Sequence, residues 1–167
     1  YVARHQGDLV PVIKGNGYGF GIPTLAREAS TFSAECVACY NADEAAAIRS
    51  QFDGDVLLLA PDEVLDEKWA IHTISPISES FTASNPKRFV VELLSPVKRH
   101  GYQISAIAEA LTRYSATGVC EGIAIHLPIN QNRSALQWIN DQLTALTKFG
   151  VPPAQYKNTI WISHISA

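Results

Sequence analysis

The chain contains no methionine, not even at position 1, and only three cysteines in 167 residues. Without an initiating Met it does not begin at a translation start, and it reads as a piece of a longer protein. Cys36, Cys39 and Cys120 form no disulfide framework of the kind that staples small secreted domains, and an odd thiol count suits a reducing cytoplasm. Cys36 and Cys39 have the spacing of a redox or zinc half-site. The surrounding E-C-V-A-C-Y reads as a strand, however, where residues three apart face opposite sides. No second cysteine pair completes a metal site, so no metal is expected. Charge is sparse as well: charged residues make up 17% of the chain, 13 Lys and Arg against 16 Asp and Glu, with the signs scattered. That leaves no basic stripe for nucleic acid and no polybasic segment for a membrane surface. The longest apolar runs, such as Val56 to Pro61, are strand-sized and far below a membrane span. The opening Y-V-A-R-H-Q lacks the charged start and apolar stretch of a secretory signal.

What is present suits one domain with a real core, since 47% of the residues are hydrophobic. Seven short apolar runs recur: Leu9 to Lys14, Cys36 to Tyr40, Asp55 to Ala60, Ala70 to Ser75, Phe89 to Leu94, Gly122 to Leu127 and Thr159 to Ser163. Their near-continuous hydrophobicity predicts parallel strands buried on both faces. Amphipathic patterns between them predict helices over Ile22 to Thr31, Ala42 to Gln51, Ile104 to Thr112 and Ser134 to Phe149. Pro11 marks a strand start or bulge. Asn41 and Asp43 are candidate N-caps for A-D-E-A-A-A-I-R, with Arg49 near its end complementing the dipole. The connection Pro76 to Arg88 holds S-F-T-A-S-N-P, a poor helix, so one helix there is degenerate or missing. Repeated β-α units of this kind build a parallel barrel or an open doubly wound sheet. The expected fold is α/β, a (β/α)8 TIM-type barrel that is incomplete. About seven of its strands are present, whereas the full fold usually takes ~250 residues and open edges are avoided.

The most informative stretch is Val10 to Gly21, V-P-V-I-K-G-N-G-Y-G-F-G. An apolar run ends in Lys14, at the carboxyl end of a buried strand, where barrels and doubly wound sheets carry their reactive groups. Partial desolvation there lowers an amine's pKa and makes it a candidate Schiff-base nucleophile. The glycines allow a sharp turn and close approach to a ligand, while Tyr18 offers a flat face. The alternative is a Gly-rich turn with an exposed Lys.

This string resembles V-x-K-A-N-A-Y-G-H-G at the end of the first strand of the alanine racemase family, with Gly15 and Gly17 in place of Ala and Phe20 in place of His. The resemblance implies that Lys14 carries pyridoxal 5'-phosphate as a Schiff base and that Tyr18 lies near its phosphate. A-C-Y-N-A-D-E-A-A-A-I-R is similar to the family's V-A-T-V-D-E-A-x-x-L-R, its second strand and helix. S-P-V-K-R-H-G aligns with T-G-M-x-R-x-G, which implies that Arg99 hydrogen-bonds the cofactor's phenolic oxygen; Leu94 stands where the family has Asp. Seven residues earlier, Glu92 stands where many members hold a carbamylated Lys, and it supplies the negative charge that orients Arg99, or else is a strand-end surface charge. G-I-A-I-H-L-P resembles G-x-x-x-H-x of the sixth strand and makes His126 a neighbour of the cofactor ring, against the plain reading of a core histidine. I-W-I-S-H-I-S-A falls where the family has its phosphate-binding Asn-Ser, which implies that role for Ser163 or Ser166, with His164 beside the phosphate or the Schiff base. His5, His72 and His100 lack ligand spacing, and Trp69, Trp138 and Trp161 read as core or interface aromatics.

The resemblance implies a pyridoxal-phosphate-dependent amino-acid racemase in which Lys14 is also the base on one face. In the family, a Tyr from the partner subunit's carboxyl-terminal β-domain serves the other face. Residues 1–167 then form the amino-terminal barrel without that β-domain, a piece expected to be inactive alone. The expected partners are a small amino-acid substrate and a second copy in a homodimer, in a cytoplasmic setting that supplies a bacterial cell-wall precursor. Two alternatives remain: a D-amino-acid aldolase or dehydratase of the same fold, and a non-catalytic pyridoxal-phosphate carrier. Carriers lack the Y-G-x-G that follows the Lys here.

Overall fold

The computed structural model describes residues 9–80, 86–128, 133–151 and 160–163. Six parallel strands follow one another in chain order: β1 (Cys36–Cys39), β2 (Asp55–Leu58), β3 (Ala70–Ile74), β4 (Arg88–Leu93), β5 (Val119–His126) and β6 (Ile160–Ser163). They form a curled half-barrel, the incomplete TIM-type architecture. The run Leu9 to Lys14 is not a seventh strand of this sheet. It makes a single parallel bridge, Val12 to Ala38, with Ile13 N–H donating to the Ala38 carbonyl at 2.7 Å and Ala38 N–H to the Pro11 carbonyl at 2.8 Å. Pro11 has no N–H to extend that ladder.

Helices cover the outer face. After a single turn α1 (Gly15–Tyr18) come α2 (Ile22–Thr31), α3 (Ala42–Arg49), α4 (Ile107–Ser115) and α5 (Arg133–Lys148), with 3-10 turns at Pro76–Ser80 and Ile104–Ala106. The Asn41 side chain accepts from Glu44 N–H at 2.9 Å, the N-cap that starts α3. No helix stands between β2 and β3. Buried His72 fills that gap by accepting from Leu65 N–H at 2.8 Å and contacting the Arg88 carbonyl at 3.2 Å.

Strand alternation divides the core. Val37, Cys39, Val56, Leu58 and Ala70 pack outward with α2 and α3, and Phe89, Val91, Ile123 and Ile125 pack outward with α4 and α5. Cys36, Ala38, Leu57, Ile71 and Val90 pack inward, joined by Ala124 and Trp161. Cys36 and Cys39 thus face opposite sides, and burial pushes each thiol up to about 12, so neither supplies a thiolate. At the amino-terminal strand ends, Arg88 bonds both oxygens of Asp55 at 2.7 and 2.6 Å and Glu121 at 2.8 Å. Glu121 is the extra residue of a bulge: Phe89 pairs with Cys120 and Val90 with Gly122.

Candidate functional site

Lys14 stands at the carboxyl-terminal end of the sheet, immediately after the bridge to β1, and is half-buried. The four residues after it all have positive φ: Gly15 61°, Asn16 54°, Gly17 60° and Tyr18 54°. This left-handed turn explains the G-N-G composition, because Gly enters that region freely and Asn tolerates it. It closes with Tyr18 N–H donating to the Lys14 carbonyl at 3.3 Å and leaves Tyr18 exposed.

Two positions along each strand return a side chain to the same face. Thr73, Glu92, His126 and Ser163 therefore share the inward face with Ile71, Val90, Ala124 and Trp161, one step closer to the carboxyl-terminal ends. His126 Nδ1 and Ser163 Oγ lie 2.9 Å apart, so two of the expected site residues meet. His164 and Ser166 lie outside the described residues. Burial pushes the Glu92 carboxyl above the usual carboxylate range, while the charges of Arg99 and His100 pull it down. Arg99 itself is exposed on the loop after β4, and among the described contacts it makes no hydrogen bond to Glu92. The expected direct Glu92–Arg99 pair is here an interaction through space.

Three residues of this end escaped the sequence reading. Glu44 accepts from Gly15 N–H and from Tyr40 N–H, both at 2.7 Å. The spacing Asn41-x-x-Glu44 is that of a capping box and could have drawn attention to it. Ser95 donates to the His126 carbonyl and accepts from Val97 N–H, which clips the Arg99 loop to the end of β5. Thr73 is 5% exposed, and its Oγ1 has no hydrogen-bond partner among the described residues. A hydroxyl buried without a partner on the inward face calls for a polar ligand or water.

The carboxyl-terminal end of the sheet offers one primary amine just past the bridge to β1, an exposed aromatic face next in the turn, an imidazole–hydroxyl pair, a cation on the loop after β4 and an unsatisfied buried hydroxyl. That donor set fits a flat, anionic, carbonyl-bearing cofactor. No group of three or more metal-ligating side chains occurs among the described residues.

Residues 1–156 match the family described as alanine racemase, N-terminal domain. No curated protein sequence matches the chain. Among solved structures, the fold is similar to alanine racemase from D-cycloserine-producing Streptomyces lavendulae, with a TM-score of 0.69, 20% identity, and 95% of this chain and 47% of that one covered. Alanine racemase from Bacillus anthracis with bound L-Ala-P gives a TM-score of 0.70 at 18% identity, over 93% and 45% of the two chains. The enzyme from Bartonella henselae with covalently bound pyridoxal phosphate gives 0.62 at 17%, over 92% and 48%. The chain spans about half the length of these relatives.

Proposed function

The chain belongs to the alanine racemase N-terminal domain family, and from that premise we propose that it binds pyridoxal phosphate through Lys14 and forms the barrel part of an amino-acid racemase. The observation that carries the reading is the location of Lys14: just past the bridge to β1 and next to a left-handed glycine turn, at the carboxyl-terminal end of the sheet, the end that also carries the His126–Ser163 pair. When bound, the cofactor supplies an electron-withdrawing ring that stabilises negative charge on the α-carbon of an amino acid.

The residues divide the work. Lys14 Nζ would hold the cofactor covalently and, as a free amine, would take or return the α-proton on one face. Tyr18 would lie toward the phosphate, with Ser163 a hydroxyl donor to it; the same reading keeps Ser166 and His164 as candidates for phosphate contact. His126, which meets Ser163 at 2.9 Å, would pack beside the ring. Arg99 would donate to the phenolic oxygen, with the Glu92 carboxyl behind it supplying negative charge. A small amino-acid substrate, a homodimer whose partner supplies the opposite-face base, and a cytoplasmic location belong to the same proposal. No described helix is long and apolar enough to cross a membrane.

The test is a borohydride trap. Protein incubated with pyridoxal phosphate turns yellow, and reduction bleaches the band and leaves a stable adduct on Lys14. An adduct mapped to another lysine, or no uptake at all, removes the reading.

A further inference from the structure

We propose that Glu44 is the positioning residue of Lys14: one carboxylate grips the peptide that follows the lysine and ties it to the end of β1. The inference rests on the cofactor reading above and deepens it.

Lys14 is extended, with φ −95° and ψ 166°, and every residue from Gly15 to Tyr18 has positive φ. Pairing with β1 ends at Ile13, so rotation about Lys14 ψ breaks no sheet bond yet swings the turn away from the strand end. The far side of the turn packs on α2, where a Gly17 Cβ would meet Leu25 Cδ1 at 3.0 Å, but nothing lies within 4 Å of the position that a Gly15 Cβ would occupy. At the Lys14–Gly15 junction itself the hold is hydrogen bonding. The carbonyl of the Lys14–Gly15 peptide accepts from Tyr18 N–H at 3.3 Å, and its N–H donates to Glu44 Oε1 at 2.7 Å.

The other carboxylate oxygen, Oε2, accepts from Tyr40 N–H at 2.7 Å, at the carboxyl end of β1. Glu44 is itself anchored, because its own N–H donates to Asn41 Oδ1 at 2.9 Å. Both peptide bonds to Glu44 are charge-assisted and short, the stronger class of hydrogen bond. The clamp thus runs from the capped helix through one carboxylate to the peptide that follows the lysine and to the end of β1. Glu63 provides a built-in comparison: its Oε2 accepts from Ala42 N–H at 2.6 Å in the same helix start but does not touch Gly15.

The experiment measures pyridoxal phosphate labelling of Lys14, trapped with borohydride and mapped by peptide mass spectrometry, relative to exposed Lys148 as an internal reference. Wild type, Glu44→Ala, Glu44→Gln and Glu63→Ala are compared in the full 167-residue chain, with folding checked by circular dichroism. Glu44→Ala is expected to lower the Lys14 to Lys148 labelling ratio roughly tenfold. Glu44→Gln, which keeps one carbonyl acceptor but turns an NH2 toward the other N–H, should fall between. Glu63→Ala should lower the melting temperature and leave the ratio at the wild-type value.

A folded Glu44→Ala that labels as wild type overturns the proposal. So does a Glu63→Ala that loses as much as Glu44→Ala, which would mean general loosening of the helix start. If Glu44→Ala does not fold, a folded Glu44→Gln with a wild-type ratio overturns it equally. A wild-type protein without selective Lys14 labelling removes the cofactor reading and this proposal together, a result distinct from the other three.

Discussion

His72 has both ring nitrogens engaged inside the protein, and its protonation state follows from that geometry. Nε2 accepts from Leu65 N–H, so the ring proton sits on Nδ1 and donates to the Arg88 carbonyl. A second proton would set N–H against N–H at Leu65 and place a charge in a site only 1% exposed. Burial accordingly lowers the pKa of His72, with the Arg88 contact opposing. An unfolded histidine titrates near 6.5. The folded state therefore binds this proton less readily than the unfolded one, and stability rises with pH across the window below that value. His72 contributes fully above about pH 7. Its contribution is lost as pH falls through about 6.5 toward the lowered folded value, with a slope of up to about 1.4 kcal/mol per pH unit. Urea unfolding at pH 7.5, 6.5 and 5.5 should show this slope, and His72→Gln should flatten it. An equal slope in both proteins would assign it to other groups.

At the scale of elements, the loop from β4 to Tyr102 is held by its backbone. Leu94 N–H donates to the Tyr102 carbonyl and Tyr102 N–H to the Glu92 carbonyl, each at 2.8 Å, so the loop that bears Arg99 returns against its own strand. Gly101 makes that return possible. A Cβ there would lie 2.3 Å from both Leu93 C and Leu94 N, backbone atoms that cannot move aside. Gly101→Ala should cost about 2–3 kcal/mol and shift Arg99, read as a lowered urea midpoint together with weaker cofactor uptake. Loss of neither would show that the loop adapts. The glycine at the end of R-H-G was legible in the sequence, as were α2, whose bounds match the reading, and the Asn41 cap. The first strand was not, because hydrophobicity does not reveal that Pro11 limits pairing to one bridge. The substitutions Gly15 and Gly17 within the family pattern have a physical reason only in the structure: both sit at positive φ. The carboxylate of Glu44 was hidden for a related cause, since its partner Gly15 is 29 residues away and no local periodicity links them.

Across the whole molecule, the ion network and the proposed cofactor site lie at opposite ends of the sheet, the division that parallel barrels use. The order of strands was legible because each lies on a near-continuous apolar run, whereas Glu92, His126 and Ser163 were singled out only by the family resemblance, and their shared inward face follows from the strand register. The ion network at the other end was not legible, because Asp55, Arg88 and Glu121 belong to three strands and meet only through the curl of the sheet and the bulge at Glu121. Arg88 joins β2, β4 and β5, and hydrogen bonding to Asp55 and then Glu121 holds it firmly charged. Trp161 Nε1 donates to the Glu121 carbonyl at 3.2 Å and adds β6. Removing the cation leaves two carboxylates together, with the Glu121 side chain only 12% exposed. Arg88→Met should therefore cost about 3 kcal/mol at pH 7. Adding Asp55→Asn and Glu121→Gln removes the repulsion and should recover a large part of the stability at pH 7. Because the network lies at the far end from Lys14, borohydride labelling of that lysine in folded Arg88→Met should equal wild type. A variant that keeps its stability but loses Lys14 labelling would mean that the two ends are coupled through the sheet and that the division between them is wrong.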